Sequence, residues 1–377
     1  MLGAAAHGRI MRAGPNGNVP VTPILANLIP DAFFEQPSAV LWLYAAGGIV
    51  FLVLGADRAV AGGARLAATL GVSKVIIGAT VVSLGTTSPE VFVSVLAAVQ
   101  GEPGLALGNA VGSIICDTAL ILGLSLLLAR LPLDRFVLNR HGWLQLGAAV
   151  LLVAVAGVAA LAHGGLEEAV IPRAAGIGFL LLMGPYMLLS VRWARQHPEA
   201  VPVPTAVTPA TARPHPGWAV GWNLLLALGG LGLVVAASQV LVGSVSTLCT
   251  RHGVPPDILA VIVVAFGTSL PELATAIASI VKGHPEVLIG NVIGSDVLNV
   301  LFVAGASAGA AGPLQVSPTF FYLHFPVMLL AVGLVRMYVL TSGKSFKRWH
   351  GIPLVGLFVA YYVVLTLVAK GPLPGLE

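Results

Sequence analysis

The chain has 377 residues, of which 57% are hydrophobic and only 9% charged, with a net charge of +4. That composition excludes a string of water-soluble domains, and basic residues scattered between apolar runs exclude a nucleic-acid-binding patch. Apolar runs of roughly eighteen residues or more recur along the chain, the pattern of an all-α membrane protein embedded in a lipid bilayer. Cys116 and Cys249, both in or beside apolar segments, make no disulfide or zinc framework and read as buried structural thiols.

Residues 1–38 are rich in Gly, Pro and Asn and lack a compact apolar core followed by a small-residue cleavage site. They read as a flexible N-terminal arm, not a signal peptide. Ten transmembrane helices are expected next, at 39–69, 73–99, 104–129, 142–162, 169–193, 218–249, 256–281, 286–311, 319–340 and 351–369. The first five form one unit over 39–193 and the last five a second over 218–377. Between them, 194–217 carries Pro198, Pro202, Pro204, Pro209, Pro214 and Pro216. Prolines at that density stop a helix and favour extended, solvated backbone, so this stretch is expected to be a cytoplasmic linker too short to fold alone.

Orientation follows from where Lys and Arg fall. With both termini outside, fourteen of the nineteen basic residues lie in cytoplasmic loops or helix ends, among them Arg130, Arg135, Arg140, Arg192, Arg336, Lys347 and Arg348. Only Arg9, Arg12, Arg173, Arg251 and Lys370 stay outside.

The two units repeat one another. Gly85-Thr86-Thr87-Ser88-Pro89-Glu90 returns as Gly267-Thr268-Ser269-Leu270-Pro271-Glu272, an offset of 182 residues (272 less 90). The same offset maps Gly108-Asn109 onto Gly290-Asn291 and Gly112-Ser113 onto Gly294-Ser295. Five helices per unit is an odd number, so the second copy enters the membrane from the opposite side. Inverted repeats of this kind let secondary transporters rock around a site at the midplane.

Glu90 and Glu272 fall near the bilayer centre, with Asp117 and Asp296 on the neighbouring helices, and no Lys or Arg lies at that depth to pair with all of them. A carboxylate there costs roughly 2.5–3.5 kcal/mol on insertion scales, so bound cations or protons must neutralise it. Thr86 and Glu90, Thr268 and Glu272, Ser113 and Asp117, and Ser295 and Asn299 are each four residues apart and share a helix face. Pro89 and Pro271 cannot donate to the helix ladder and crowd the carbonyls of Gly85 and Gly267, which is expected to open the helix there and free carbonyls at Ser83 and Ala265. Such backbone is tolerated at membrane depth only where it lines a cavity. Hydroxyl, carbonyl and carboxylate oxygens without His or thiolate suit a hard cation such as Ca²⁺ or Na⁺. Asp296 is a further candidate ligand, one residue past Ser295 and about 100° round the helix from it. His324 belongs to no motif and reads as a packing residue, and Asp57 with Arg58 as structural or interfacial.

These two motif pairs resemble the two α-repeats of the calcium/cation antiporter superfamily, in the prokaryotic type of its sodium/calcium exchanger branch. The proton/calcium branch instead centres on a Gly-Asn-x-x-Glu pattern. The resemblance implies ten transmembrane helices in two inverted five-helix repeats, with the second, third, seventh and eighth helices as a core and the first and sixth sliding across it. It implies that Glu90 and Glu272 are the main Ca²⁺ ligands. Thr86, Thr87, Thr268, Ser269, Ser113 and Ser295 would supply oxygens to Na⁺ and Ca²⁺, and carbonyls of Ser83 and Ala265 would complete the sites. Asp117 and Asn299 stand reversed relative to prokaryotic members, which carry Asn first and Asp second; Ile114 and Asp296 stand where many relatives have Asn.

The expectation is therefore an antiporter of a bacterial or archaeal cell membrane that exchanges Na⁺ for Ca²⁺ by alternating access. The nearest rival is H⁺/Ca²⁺ exchange on the same carboxylates. A passive cation channel is disfavoured by inverted repeats around a midplane site. No H-E-x-x-H or comparable catalytic constellation points to a membrane enzyme, and no cofactor is expected beyond the transported ions.

Overall fold

The computed structural model describes residues 29–69, 83–131, 133, 135–196, 217–281, 285–343 and 345–368. Within them the apolar runs coil into helices, because a bilayer offers the backbone no partner outside the helix's own ladder. In chain order these are α1 (Ser38–Thr69), α2 (Ser88–Val99, preceded by the helical turn Ser83–Thr86), α3 (Pro103–Leu128), α4 (Arg135–His163) and α5 (Arg173–Gln196). Then come α6 (Gly217–His252), the broken α7 (Pro256–Thr268 and Leu270–Val281), α8 (Leu288–Ala311, entered from Pro285), α9 (Phe320–Thr341) and α10 (Arg348–Val368).

Eight of these helices are long and apolar enough to cross a membrane, and nine if the two pieces of α7, bent by 41°, count as one span. The chain is thus a multi-pass membrane protein. Much of the expected second helix, and most of the expected arm and linker, lies outside the described residues. The end of that arm is structured: Asp31–Glu35 forms a single 3₁₀ turn, and the Arg251 guanidinium on α6 donates to the carbonyls of Phe34 and Gln36.

α1 and α6 have 32 and 36 residues, so at about 1.5 Å per residue they run well past the ~30 Å of hydrocarbon. They lie antiparallel along glycines spaced by sevens. A methyl group at Gly55 would come within 2.9 Å of the Gly230 carbonyl, and one at Gly62 within 2.7 Å of the Asn223 carbonyl. One at Gly48 would sit 3.3 Å from the carbonyl of Ala237. Small residues at such crossings let two backbones meet in a setting where lipid gives no hydrophobic drive to associate.

α3 and α8 are the most enclosed helices, with 78% and 89% of their most apolar stretches buried, against 22% for α5. The loops agree on one alternation. β1 (Val170–Ile171), after α4, pairs antiparallel with β2 (Leu314–Gln315), after α8. Glu102, between α2 and α3, accepts from Ser246 near the end of α6. At the opposite face Arg336, near the end of α9, donates to the Leu138 carbonyl and to Asn139 at the start of α4.

Candidate functional site

Each copy of the proline motif breaks its helix at one residue. Thr87 has φ −82°, ψ −3° and Ser269 φ −79°, ψ 5°, both in the sparsely populated bridge region. The breaks fall two residues past Gly85 and Gly267, where the opening was expected. In the first copy Pro89 brings no N–H to the Gly85 carbonyl, and the Ser88 hydroxyl donates to it at 2.6 Å. The second copy has Leu270 at that place and no such hydroxyl. The Ala265 carbonyl, expected to be freed by the break, is instead bonded, because the turn closes on it: it accepts from Ser269 N at 3.0 Å and from the Thr268 hydroxyl at 3.2 Å. Ser83 opens the turn before the first break.

The broken segments cross, and the contacts obey the repeat. Thr86 donates to Asn291 Oδ1 at 3.4 Å, and Thr268, its counterpart, donates to Asn109 Oδ1 at 3.1 Å. Asn109 in turn donates to the Glu90 carbonyl at 3.3 Å and to Ser94 at 2.9 Å. Thr268 stands beside the Glu90 carboxylate and Thr86 beside that of Glu272. Thr87 and Ser295 share a hydrogen bond at 3.3 Å, and Ser295 reaches Glu272 Oε1 at a long 3.4 Å. Thr86 and Thr268 thus each meet the other repeat's acid and amide, whereas Ser295 reaches the acid of its own repeat.

The acids face one another. Glu272 lies near Glu90 and Asp117, and Asp117 faces the hydroxyls of Ser269 and Ser295. Glu90, Glu272, Asp117, Asn299 and Thr268 are all fully buried. Both carboxylate oxygens of Glu90 and of Asp117, one of Glu272, the Ser113 and Ser269 hydroxyls and both side-chain atoms of Asn299 have no hydrogen-bond partner. Among the described residues no Lys or Arg stands with the charged groups facing these acids. Buried charge in that state is costly unless a cation or proton supplies what the protein does not. Among the described residues no three His, Cys, Asp or Glu side chains draw close enough to hold a metal alone, so hydroxyls and amides must complete any shell. The donor set is oxygen throughout, which suits a hard cation.

Asp296 lies near Asp117 but takes its hydrogen bonds elsewhere. Its Oδ2 accepts from Thr118 and from Gln145 Nε2 of α4 (2.5 Å), and Gln145 also reaches Thr118 at 3.2 Å. Its Oδ1 has no partner. The position agrees with the turn of about 100° that separates it from Ser295.

The sequence reading missed three things. α3 and α8 each contain a π-helical segment at the same place in the repeat, Cys116–Ile121 and Asn299–Ala304, beginning beside Asp117 and at Asn299. Such insertions are frequent at functional sites but carry no sequence mark. Asn109 and Asn291 were visible only as a repeated pair, and their hydroxyl partners were not. His324, expected to be a packing residue, is one of a polar group: its Nδ1 lies 2.5 Å from Tyr361 Oη and its Nε2 3.6 Å from Asp257, which also accepts from Ser317 at 2.6 Å. Asp57 and Arg58 pair with each other at 2.8 Å on the exposed surface.

A sequence profile of the family described as sodium/calcium exchanger protein matches residues 40–192 and, a second time, 222–367. The two matches start 182 residues apart (222 less 40), the offset that relates Glu90 to Glu272. The CaxA protein of Alkalimonas amylolytica is 33% identical over 321 residues, spanning 84% of this chain and 96% of its own. The sodium/calcium exchanger MaX1 of Methanosarcina acetivorans is 30% identical over 345 residues, spanning 85% and 97%. Among solved structures, the sodium-calcium exchanger NCX_Mj soaked with 2.5 mM Na⁺ and 10 mM Sr²⁺ aligns with a TM-score of 0.55 at 24% identity, covering 87% of this chain and 99% of its own. At that identity the likeness speaks to the fold.

Proposed function

The chain belongs to the sodium/calcium exchanger family, and from that premise we propose that it exchanges Na⁺ for Ca²⁺ across a prokaryotic cell membrane. The observation that carries this reading is the set of buried, unpartnered oxygens on Glu90, Glu272 and Asp117 at the crossing of the two broken helices. MaX1, spanned almost end to end by this chain, is named for the same exchange.

In this reading the ten helices form two inverted sets of five, with both termini outside and the linker 194–217 in the cytoplasm. Glu90 and Glu272 are the main Ca²⁺ ligands and Asp117 the third acid. Thr86, Thr87, Thr268, Ser269, Ser113, Ser295 and Asn299 supply further oxygens, with the carbonyls of Ser83 and Ala265. Coupling comes from competition: the same carboxylates cannot satisfy a full load of both ions, so each side exchanges one load for the other. α1 and α6, joined by their glycine faces, are the pair that slides across α2, α3, α7 and α8.

The decisive experiment uses proteoliposomes loaded with Na⁺ and diluted into Na⁺-free medium with radiolabelled Ca²⁺. Uptake should follow the Na⁺ gradient, and a pH gradient alone should drive little. Uptake driven by the pH step but not by Na⁺ would overturn the choice of Na⁺ in favour of H⁺ on the same acids.

A further inference from the structure

Gln145 of α4 donates through Nε2 to Asp296 Oδ2 of α8 at 2.5 Å and to Thr118 Oγ1 of α3 at 3.2 Å. Thr118 donates to the same carboxylate oxygen, so three helices meet in one triangle of hydrogen bonds. All three side chains are buried. Both donors converge on Oδ2, and Oδ1 has no partner. A tie that served stability alone would use both oxygens. The triangle also borders the proposed ion ligands along the chain, since Thr118 follows Asp117 and Asp296 follows Ser295.

The repeat does not preserve this triangle. Ile114 stands 182 residues before Asp296, Val300 stands 182 after Thr118, and Val327 stands 182 after Gln145. Ile114 and Val300 are as deeply buried as the polar pair. Packing at this depth therefore needs no polar group, and a carboxylate is the more costly choice.

We infer that Gln145 is a positioning residue: with Thr118 it holds the Asp296 carboxylate out of the ion shell and so fixes at three the acids that an ion meets. The inference rests on the proposed exchange site and adds a control on its charge. A carboxylate that loses its donors at membrane depth must find a cation, and a change of rotamer swings it between neighbouring faces of its helix. Freed, Asp296 would join Glu90, Glu272 and Asp117 on a divalent ion, which would bind more tightly and leave more slowly.

The test uses full-length protein in proteoliposomes and radiolabelled Ca²⁺. Gln145→Leu should lower the KM for Ca²⁺ on the order of tenfold and lower kcat with it. Asp296→Asn alone, whose amide oxygen still accepts both donors, should stay within about twofold of wild type. Added to Gln145→Leu, it should restore the wild-type KM, because no charge is left to release. A KM that Gln145→Leu raises or leaves unchanged, or a lowered KM that Asp296→Asn does not restore, overturns the inference. So does a tenfold rise in KM in Asp296→Asn alone, which would make Asp296 a ligand already. If Gln145→Leu fails to fold, Thr118→Val removes the other donor and is read in the same way. Wild-type vesicles that take up no Ca²⁺ overturn the exchange reading instead. The unfolding midpoints of the two single variants and the double variant then decide whether Gln145 holds Asp296, and additive shifts would deny it.

Discussion

Replacing Glu90 by Gln should move stability in two opposite directions, and the structure sets both. The Glu90 side chain is fully buried, neither oxygen has a hydrogen-bond partner, and Asp117 faces it. A carboxylate at membrane depth costs roughly 2.5–3.5 kcal/mol, whereas an unpartnered amide of the same shape costs about 1–3 kcal/mol. In protein stripped of Ca²⁺ with chelator, Glu90→Gln should therefore gain about 1 kcal/mol, or a rise of about 1–3 °C in the unfolding midpoint for a chain of this size. With Ca²⁺ present the sign reverses. Wild type should gain about 2.7 kcal/mol when Ca²⁺ stands at 100 times its dissociation constant. The variant, lacking a main ligand, should gain little and transport nothing. Thermal unfolding of detergent-purified protein, read with chelator and with Ca²⁺ in Na⁺-free buffer, measures both effects. A variant that keeps the full Ca²⁺ shift would remove Glu90 from the ion site. A variant several degrees less stable in chelator would show that the carboxylate has a protein partner and that the electrostatic reasoning is wrong.

The glycine crossing of α1 and α6 should tolerate no side chain: a Cβ at Gly230 would meet Ala59 N and lie 2.6 Å from the Gly55 carbonyl. Gly230→Val should cost about 1–3 kcal/mol by overpacking, while Gly229→Ala, with nothing within 4 Å, should leave the unfolding midpoint unchanged. Tyr362→Phe removes only the hydroxyl that donates to the carbonyls of Val261 (2.9 Å) and Ile262 (3.3 Å) in the π segment Ala260–Ala265 leading to the second break. Losing about 1 kcal/mol of hydrogen bonding there should raise the KM for Ca²⁺ several-fold with a smaller change in kcat, and an unchanged KM would deny Tyr362 that positioning role. Asp117→Asn should lower Ca²⁺ uptake, and adding Asn299→Asp should recover part of it by returning the charge at the repeat-related position; no recovery would show that the two positions are not interchangeable. A cysteine placed at Thr208 should react with an impermeant thiol reagent only from the cytoplasmic side, and labelling from outside would reverse the assigned orientation.

What the sequence revealed here depended on covalent repetition. Glu90 and Glu272, their prolines and the hydroxyls four residues before them recur at one offset, so their correspondence was legible before any fold. The helical spans were legible because a bilayer leaves the backbone no other way to bond. The rest depends on distance in the chain. Thr86 meets Asn291 across 205 residues and Thr268 meets Asn109 across 159, and no local pattern announces such a pair. The breaks fell at Thr87 and Ser269, not at the glycines, because a proline without an N–H loosens the turn before it and the chain yields where hydroxyls can bond the backbone. His324 was misjudged for the same reason, since Asp257 and Tyr361 reach it from other helices.

The hydroxyls and amides of this site form a frame that maps onto itself under exchange of the repeats, but its acids do not. Thr86 with Asn291 repeats Thr268 with Asn109, and Thr268 beside Glu90 repeats Thr86 beside Glu272. Against that frame, α3 carries Asp117 where α8 carries the amide Asn299, and Cys116 where α8 carries Leu298. The remaining acid of α8, Asp296, is drawn aside by Thr118 and Gln145. In the exchange proposed above, a frame of exchangeable bonds would let two inverted halves trade places without a new bonding pattern, as alternating access would require. The extra acid of α3 breaks that equivalence. On that proposal an ion held by Glu90, Glu272 and Asp117 would stay with α3 whichever way the halves tilt, while α8 would supply hydroxyls and an amide that can be given up at little cost.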